Sequence, residues 1–342
     1  MAASYCPKIA VIIPFYQREP GFLRQAVHSV FAQKLSVGAS VQLIVVDDGS
    51  PSSIAAEDLN AAPPGFEVRL LRQANGGAGA ARNSALDALD GDTDYVAFLD
   101  SDDIWYENHL ELALSAFTPD VDCFFSNNFS DDGIDTFSYS RYMRTLSGVN
   151  IEEKANINIV SGAEIFDESL DDVFIHTSQF VYRFSMGPEI RFSTDFRRSG
   201  EDLLFFIELA AKARKVAFTA AHTGLRGRGV SIYRETLAWG SPLGMETKID
   251  EILLRARIFG QFSLTARQQL KLRTELQKAS DHLLFLMLRN ARLHPKLVFK
   301  SLLRVTRFYP RIWTMMPQSA LGLSKHRAQL LAQAATSPSR PK

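Results

Sequence analysis

Short apolar runs recur through the first hundred residues, in IAVIIPFY, VQLIVVDDGS, VRLLRQANGG and DYVAFLDSDD, and helical stretches such as PGFLRQAVHSVFAQ and AGAARNSALDAL separate them. Runs that are apolar at nearly every position are buried on both faces, and the helices between them supply the cover. The pattern predicts an α/β fold in which a mostly parallel sheet is sandwiched by helices. In open sheets of this type ligands bind beyond the carboxyl ends of the strands. Those ends read Pro14-Phe15-Tyr16-Gln17-Arg18, Asp47-Asp48-Gly49-Ser50, Asn75-Gly76-Gly77 and Asp100-Ser101-Asp102-Asp103. Polar, glycine-rich and acidic residues thus collect along one edge.

The crowding in FLDSDD asks for a cause, because each ionised carboxylate raises the cost of the next. Asp100 and Asp102 alternate across the strand end, so both can address one hard cation through oxygen. A solvated acidic turn is the alternative, with Asp103 or Ser101 capping a helix expected to begin near Ile104 and to run to Phe117. The segment RQANGGAGAARN lies between a strand and a helix, where backbone N–H groups can hold phosphate. An NAD(P)-dependent oxidoreductase is therefore a rival, although Arg82 stands where the third glycine of the dinucleotide fingerprint belongs. Arg82 is either a phosphate clamp or a solvent-facing salt-bridge partner. Glu201 and Asp202 open a helix, where the helix dipole favours acids whatever else they do.

In their order, over about residues 8 to 215, IAVIIPFYQRE, LIVVDDGSPSS, RQANGGAGAARN, YVAFLDSDD and SGEDLLFF resemble the signature of family 2 glycosyltransferases, inverting nucleotide-sugar enzymes of the GT-A fold. PFYQREPGFLRQAVHSVFAQ and GRGVSIYRE, with WGSPLG nearby, are similar to bacterial exopolysaccharide glucosyltransferases of the succinoglycan type. The resemblance implies that Pro14, Tyr16 and Asp48 line the nucleoside pocket and that Arg82 lies near the base or diphosphate. It turns Asp100 toward the ribose or a metal-bound water, and makes Asp102 the direct ligand of Mg²⁺ or Mn²⁺. Asp202, with Glu201 beside it, becomes the general base of an inverting transfer. His222 is a third metal contact or a structural histidine. Arg226 and Arg228 close over the diphosphate or lie in a solvated turn, and Trp239 stacks on a sugar or packs. The implied reaction moves a hexose, glucose first, from a UDP-sugar to a saccharide acceptor, with a polyprenyl-diphosphate-linked oligosaccharide in exopolysaccharide biosynthesis as the expected partner. A catalytically silent sugar-nucleotide-binding regulator would carry the same pocket.

The 342 residues suffice for one large domain and an appendage. The expected division is a GT-A domain over 1–240, a helical C-terminal extension over 241–330 and a disordered tail over 331–342. Lys plus Arg and Asp plus Glu both number 38, but no acid follows Asp281. Arg289, Arg292, Lys296, Lys300, Arg304, Arg307 and Arg311 recur there at helical steps, opposite Val298, Leu302, Val305 and Tyr309. Such a face suits an anionic membrane surface, or it is the solvated side of a helix packed on the protein. No recognition motif accompanies the charge, so nucleic acid is not expected. Cys6 and Cys123 are the only cysteines, which points to a reducing compartment. No signal-peptide pattern is expected and no stretch reaches the roughly 20 apolar residues of a membrane span. The expected location is cytoplasmic, with any membrane contact peripheral on the cytoplasmic face of the inner membrane.

Overall fold

Every residue of strand β1 (Lys8–Phe15) beyond Lys8 is buried, as a strand covered on both faces requires. The computed structural model describes residues 6–35, 38–57, 59, 62–130, 133–146, 157–227 and 242–315. β1 runs parallel to β2 (Ser40–Asp47) along its whole length, and β2 runs parallel to β3 (Phe66–Arg72). On its other edge β1 pairs with β4 (Tyr95–Phe98) only as far as Ile12. Pro14 follows two residues later and has no N–H with which to continue that ladder. The remaining strands are β5 (Ile104–Trp105), β6 (Val121–Ser130), β7 (Asn158–Ser161), β8 (Phe180–Arg183) and β9 (Lys215–Arg226). The sheet order is β3-β2-β1-β4-β8-β6-β9-β5, with β7 also paired to β9. β6 and β9 are parallel, whereas β8 is antiparallel to both β4 and β6.

The period of two along a strand divides the core. Ile9, Val11, Ile13 and Phe15 pack with Leu23, Ala26, Val27 and Val30 of helix Phe22–Phe31, and with Leu110 and Ala113 of helix His109–Ala116. Phe98 meets Phe192 and Phe205 edge-on at 5.3 and 5.6 Å, and these two stack on each other at 4.0 Å. Phe205 belongs to helix Glu201–Lys212, so this helix is docked by aromatic burial; truncating one such ring costs about 3–5 kcal/mol.

Two sequence expectations change here. No helix begins at Ile104: Ile104 and Trp105 pair with Leu225 and Gly224 of β9, and the helix starts at His109. Asp103 is therefore no helix cap. The stretch VFIHTSQFVYR, whose alternation by itself reads as one long strand or two, becomes a 3₁₀ turn at Thr177–Gln179 followed by the short β8.

The chain divides into two compact units, Met1–Thr194 with Glu201–Val230, and Asp195–Gly200 with Ser231–Lys342. The second is helical, with helices Gly244–Gln261, Ala266–Asn290 and Pro295–Phe308 around Ile249, Ile252, Leu253, Leu283, Leu286 and Val305. Thr265 and Gln268 form a reciprocal capping box at the start of the middle helix. Arg304, expected on the basic face, is instead buried: Nη1 donates to Glu246 at 2.7 Å and Nη2 to Asp250 at 2.5 Å. Among the described residues no helix is long and apolar enough to cross a membrane.

Candidate active site

β4 ends at Phe98, and the chain turns through Asp100 to Asp103 directly into β5. Because β8 is inserted beside β4, the turn that precedes β8 lies against these acids. Ser178 Oγ accepts from the Asp100 amide at 3.0 Å and donates to Asp103 Oδ2 at 2.5 Å. His176 Nδ1 lies 3.8 Å from the same Asp103 oxygen. Ligand atoms of Asp100, Asp103 and His176 all fall within 4.8 Å of one another. Two carboxylates and an imidazole at that spacing fit a divalent cation. Asp102, half-buried between the two acids, is not one of the three.

β9 closes the cluster from the other side. The Gly227 amide donates to Asp103 Oδ1 at 2.8 Å. Only glycine fits there, since a Cβ would stand 1.7 Å from the Asp102 carbonyl oxygen. Burial, and next the Asp100 charge, push the Asp103 carboxyl up to about 7. Burial would raise Asp100 too, but the positive surroundings, Arg82 first and Arg226 with it, together hold that carboxyl below its ordinary value. Burial and the neighbouring Arg226 push His176 down to about 4, so its ring is neutral and free to ligate at neutral pH.

Arg82 projects from helix Ala78–Asp87 and is buried, not solvent-facing. Its Nη2 donates to Asp100 Oδ1 at 2.6 Å, its guanidinium lies 5.1 Å from the Phe192 ring, and Nε and Nη1 are buried without a partner. Two unsatisfied donors on a buried cation are a strong place for an anion. One turn earlier, Gly79 lies against Phe192 and Glu201: a Cβ there would stand 3.3 Å from Phe192 Cβ and 3.4 Å from Glu201 Cγ. Arg82 consequently feels the charges of Glu201 and Asp202 as well as that of Asp100. Asp202 is half-buried, and its Oδ1 accepts from the Leu203 amide at 2.8 Å.

The remaining sequence candidates are distributed around this centre. Pro14 is buried at the end of β1 and Tyr16 is half-buried just after it. Asp48 holds the glycine turn, with Gln73 Nε2 and the Gly76 amide on Oδ1 and the Gly77 amide on Oδ2, each at 2.8 Å. Gly77 has φ +89° at the entry to helix Ala78–Asp87, a conformation side chains resist. His222 sits elsewhere: Nε2 lies 2.9 Å from Asp135 Oδ2, and the ring stacks on Phe129 at 3.6 Å. Arg228 and Trp239 lie outside the described residues.

Sequence reasoning missed His176, Ser178, Gln17 and the place of Asp103 in the cluster that could hold a cation. Gln17 is buried and joins three strand ends, its Nε2 donating to Ser101 Oγ at 3.1 Å and its amide to Ser50 Oγ at 2.9 Å. A polar pair such as His176 and Ser178 directly before an apolar strand is a signal, but nothing local says which strand end it will meet.

Residues 10–186 match the family model described as Glycosyl transferase family 2. The succinoglycan biosynthesis protein ExoW of Rhizobium meliloti is 36% identical over 236 residues, 66% of this chain and 70% of that protein. Among solved structures, TarS 1-349 of S. aureus in complex with UDP-GlcNAc superposes with a TM-score of 0.56 at 16% identity, over 91% of this chain and 92% of that one. The mannosyltransferase PcManGT from Pyrobaculum calidifontis, in complex with GDP-Man and Mn²⁺, gives 0.56 at 15% identity, over 94% and 88%. At such identities these two likenesses speak for the fold alone. With the family match spanning more than half of the chain, and with the mostly parallel sheet and acidic strand ends that the motifs require, this protein belongs to glycosyl transferase family 2.

Proposed function

We propose that this chain transfers a hexosyl group, glucose first, from a UDP-sugar to a saccharide acceptor with inversion, and that the acceptor is carried on a polyprenyl diphosphate. The observation that carries the proposal is the meeting of Asp100, Asp103 and His176 with the half-satisfied Arg82 beside Asp202. Arg82 offers Nε and Nη1 to a diphosphate oxygen. Asp202 takes the proton from the acceptor hydroxyl as its oxygen attacks the anomeric carbon, and UDP leaves from the opposite face. One displacement inverts the centre, so no covalent sugar intermediate forms. Asp100 and Asp103, with His176, would hold the cation, and Asp102 would join them if it takes the ligand role that the family's D-x-D pattern assigns to it. When bound, the cation would stabilise charge on the departing diphosphate. The imidazole in the set favours Mn²⁺ over Mg²⁺. Pro14, Tyr16 and Asp48 border the nucleoside, and Glu201 supports Asp202.

Hydride transfer is the weaker account, because a nicotinamide site has no use for the cluster of Asp100, Asp103 and His176, and Arg82 stands where the third glycine of the dinucleotide fingerprint belongs. The test is UDP release from UDP-glucose by the purified chain with Mn²⁺ or Mg²⁺ and saccharide acceptors. Metal-dependent release is expected, and Asp202→Asn should lower it by at least about 10²-fold while UDP affinity stays near wild type. A protein that holds UDP yet loses nothing in Asp202→Asn is a silent binder, and one that binds no UDP-sugar with either metal is not this enzyme.

A further inference from the structure

Helix Pro295–Phe308 carries two apolar strips, where a helix packed on a protein needs one. Val298, Leu302 and Val305 turn inward to the helical core, and Val305 is fully buried. On the other side Phe299 and Leu303, four residues apart, stand 60% and 56% exposed. Lys296, Lys300 and Arg307 are exposed too and fall within about 80° of the midline of that pair at 100° per residue. Trp313 extends the strip past the helix end: its indole N–H donates to Thr306 Oγ1 at 3.1 Å, and the residue is 52% exposed. The contrast within the helix is Arg304, the cation that folding uses, which is turned inward to Glu246 and Asp250.

We propose that Phe299, Leu303 and Trp313, framed by Lys296, Lys300 and Arg307, seat this helix on an anionic lipid bilayer. The inference deepens the acceptor half of the proposed function and rests on it only for its purpose, since a polyprenyl-linked saccharide is presented at a membrane. Rings and leucine side chains enter the boundary between headgroups and acyl chains, while the long stems of the basic residues carry their charges to lipid phosphates. Charge complementarity selects this occupant. A second copy seated on the same face would set Lys296, Lys300 and Arg307 against their own counterparts. Residues 316–342 hold no acid either and include Lys325, Arg327, Arg340 and Lys342, so they offer the strip no neutralising partner.

The test is co-sedimentation of the full chain with vesicles of phosphatidylglycerol and phosphatidylcholine in equal parts, against phosphatidylcholine alone. Partition is expected to be at least about tenfold stronger on the mixed vesicles and to weaken with salt. Phe299→Ser with Leu303→Ser should lose about tenfold, and Lys296→Gln with Lys300→Gln and Arg307→Gln should lose as much and flatten the salt dependence. UDP release in vesicle-free solution should stay at the wild-type rate in the Phe299 and Leu303 variant, and an unchanged helical circular-dichroism signal reports that its second unit is folded. Equal partition of that variant and wild type overturns the proposal, as does indifference of the wild type to phosphatidylglycerol. A dimer in vesicle-free solution that the variant dissociates would give the face to a second copy instead. Absence of UDP release with vesicle binding intact removes the enzymatic proposal and leaves this one standing.

Discussion

Asp103 carries the sharpest conflict between burial and charge in the first unit. It is 2% exposed, receives hydrogen bonds from Ser178 and Gly227, and shares its surroundings with Asp100. A group pushed up to about 7 is largely protonated below neutrality, and a proton competes directly with a metal for its oxygens. His176, pushed down to about 4, adds no such competition between pH 5 and 8. Affinity for Mn²⁺ should therefore fall by about tenfold per pH unit below 7 and level off above it. Calorimetric titration in buffers of different ionisation enthalpy would report about one proton released per Mn²⁺ at pH 6. Asp103→Asn should abolish the pH dependence and weaken binding by about 10–100-fold, whereas a pH-dependent Asp103→Asn protein would place the proton elsewhere. Nothing in the order of residues singles out Asp103 over Asp102. The choice is made by Ser178 and Gly227, which arrive from distant parts of the chain.

At the scale of elements, the end of β9 and the insertion of β8 build the site. The carbonyl of Asp102 presses on Gly227, so the residue that closes the cluster tolerates no side chain. Gly227→Ala must displace the Asp102–Asp103 turn or the strand end, and overpacking of this kind costs about 1–3 kcal/mol or more. UDP release should fall by at least about tenfold, with the first unit still folded. Gly91→Ala, with nothing within 4 Å of its Cβ, is the control and should leave the rate unchanged. Equal rates in the two variants would mean that the β9 end does not shape the site. The strands themselves were legible, because apolar runs punctuated by glycine and acids have few other uses. The antiparallel β8 was not, since four residues carry no directional signal and only pairing with both β4 and β6 sets their direction.

Across the first unit as a whole, a buried histidine should set part of the acid stability. His109 is fully buried, stacks on Trp105 at 4.4 Å and places Nδ1 2.8 Å from Thr223 Oγ1. Burial pushes it from 6.5 down to about 3. Between those values the unfolded chain binds a proton that the folded chain refuses. The neutral ring's contribution is thus complete above 6.5 and is lost as pH falls toward 3, at up to about 1.4 kcal/mol per pH unit. Asp103, raised instead of lowered, contributes the opposite slope between 3.8 and 7, so the measurement must be a difference. The gap in urea stability between wild type and His109→Gln should shrink by about 2 kcal/mol from pH 7 to pH 5, and a gap that does not change would show that His109 can protonate in place.

By itself the sequence determined the α/β class, the edge of the sheet where polar chemistry collects, the place of the Asp100 turn, and the helical basic C-terminal region. Each of these is written in local periodicity, or in residue types that only a strand end or a helix face accommodates. What the tertiary structure decided are the partners. Arg82 pairs with Asp100 and feels the charges of Glu201 and Asp202 instead of facing water, and Asp103 joins His176 instead of capping a helix. Arg304 leaves the basic face for Glu246 and Asp250, while Phe299 and Leu303 take its place among the exposed lysines. Which buried charge meets which counter-charge depends on strand order and helix rotation, and those are set by the fit of the whole core, which no local pattern contains.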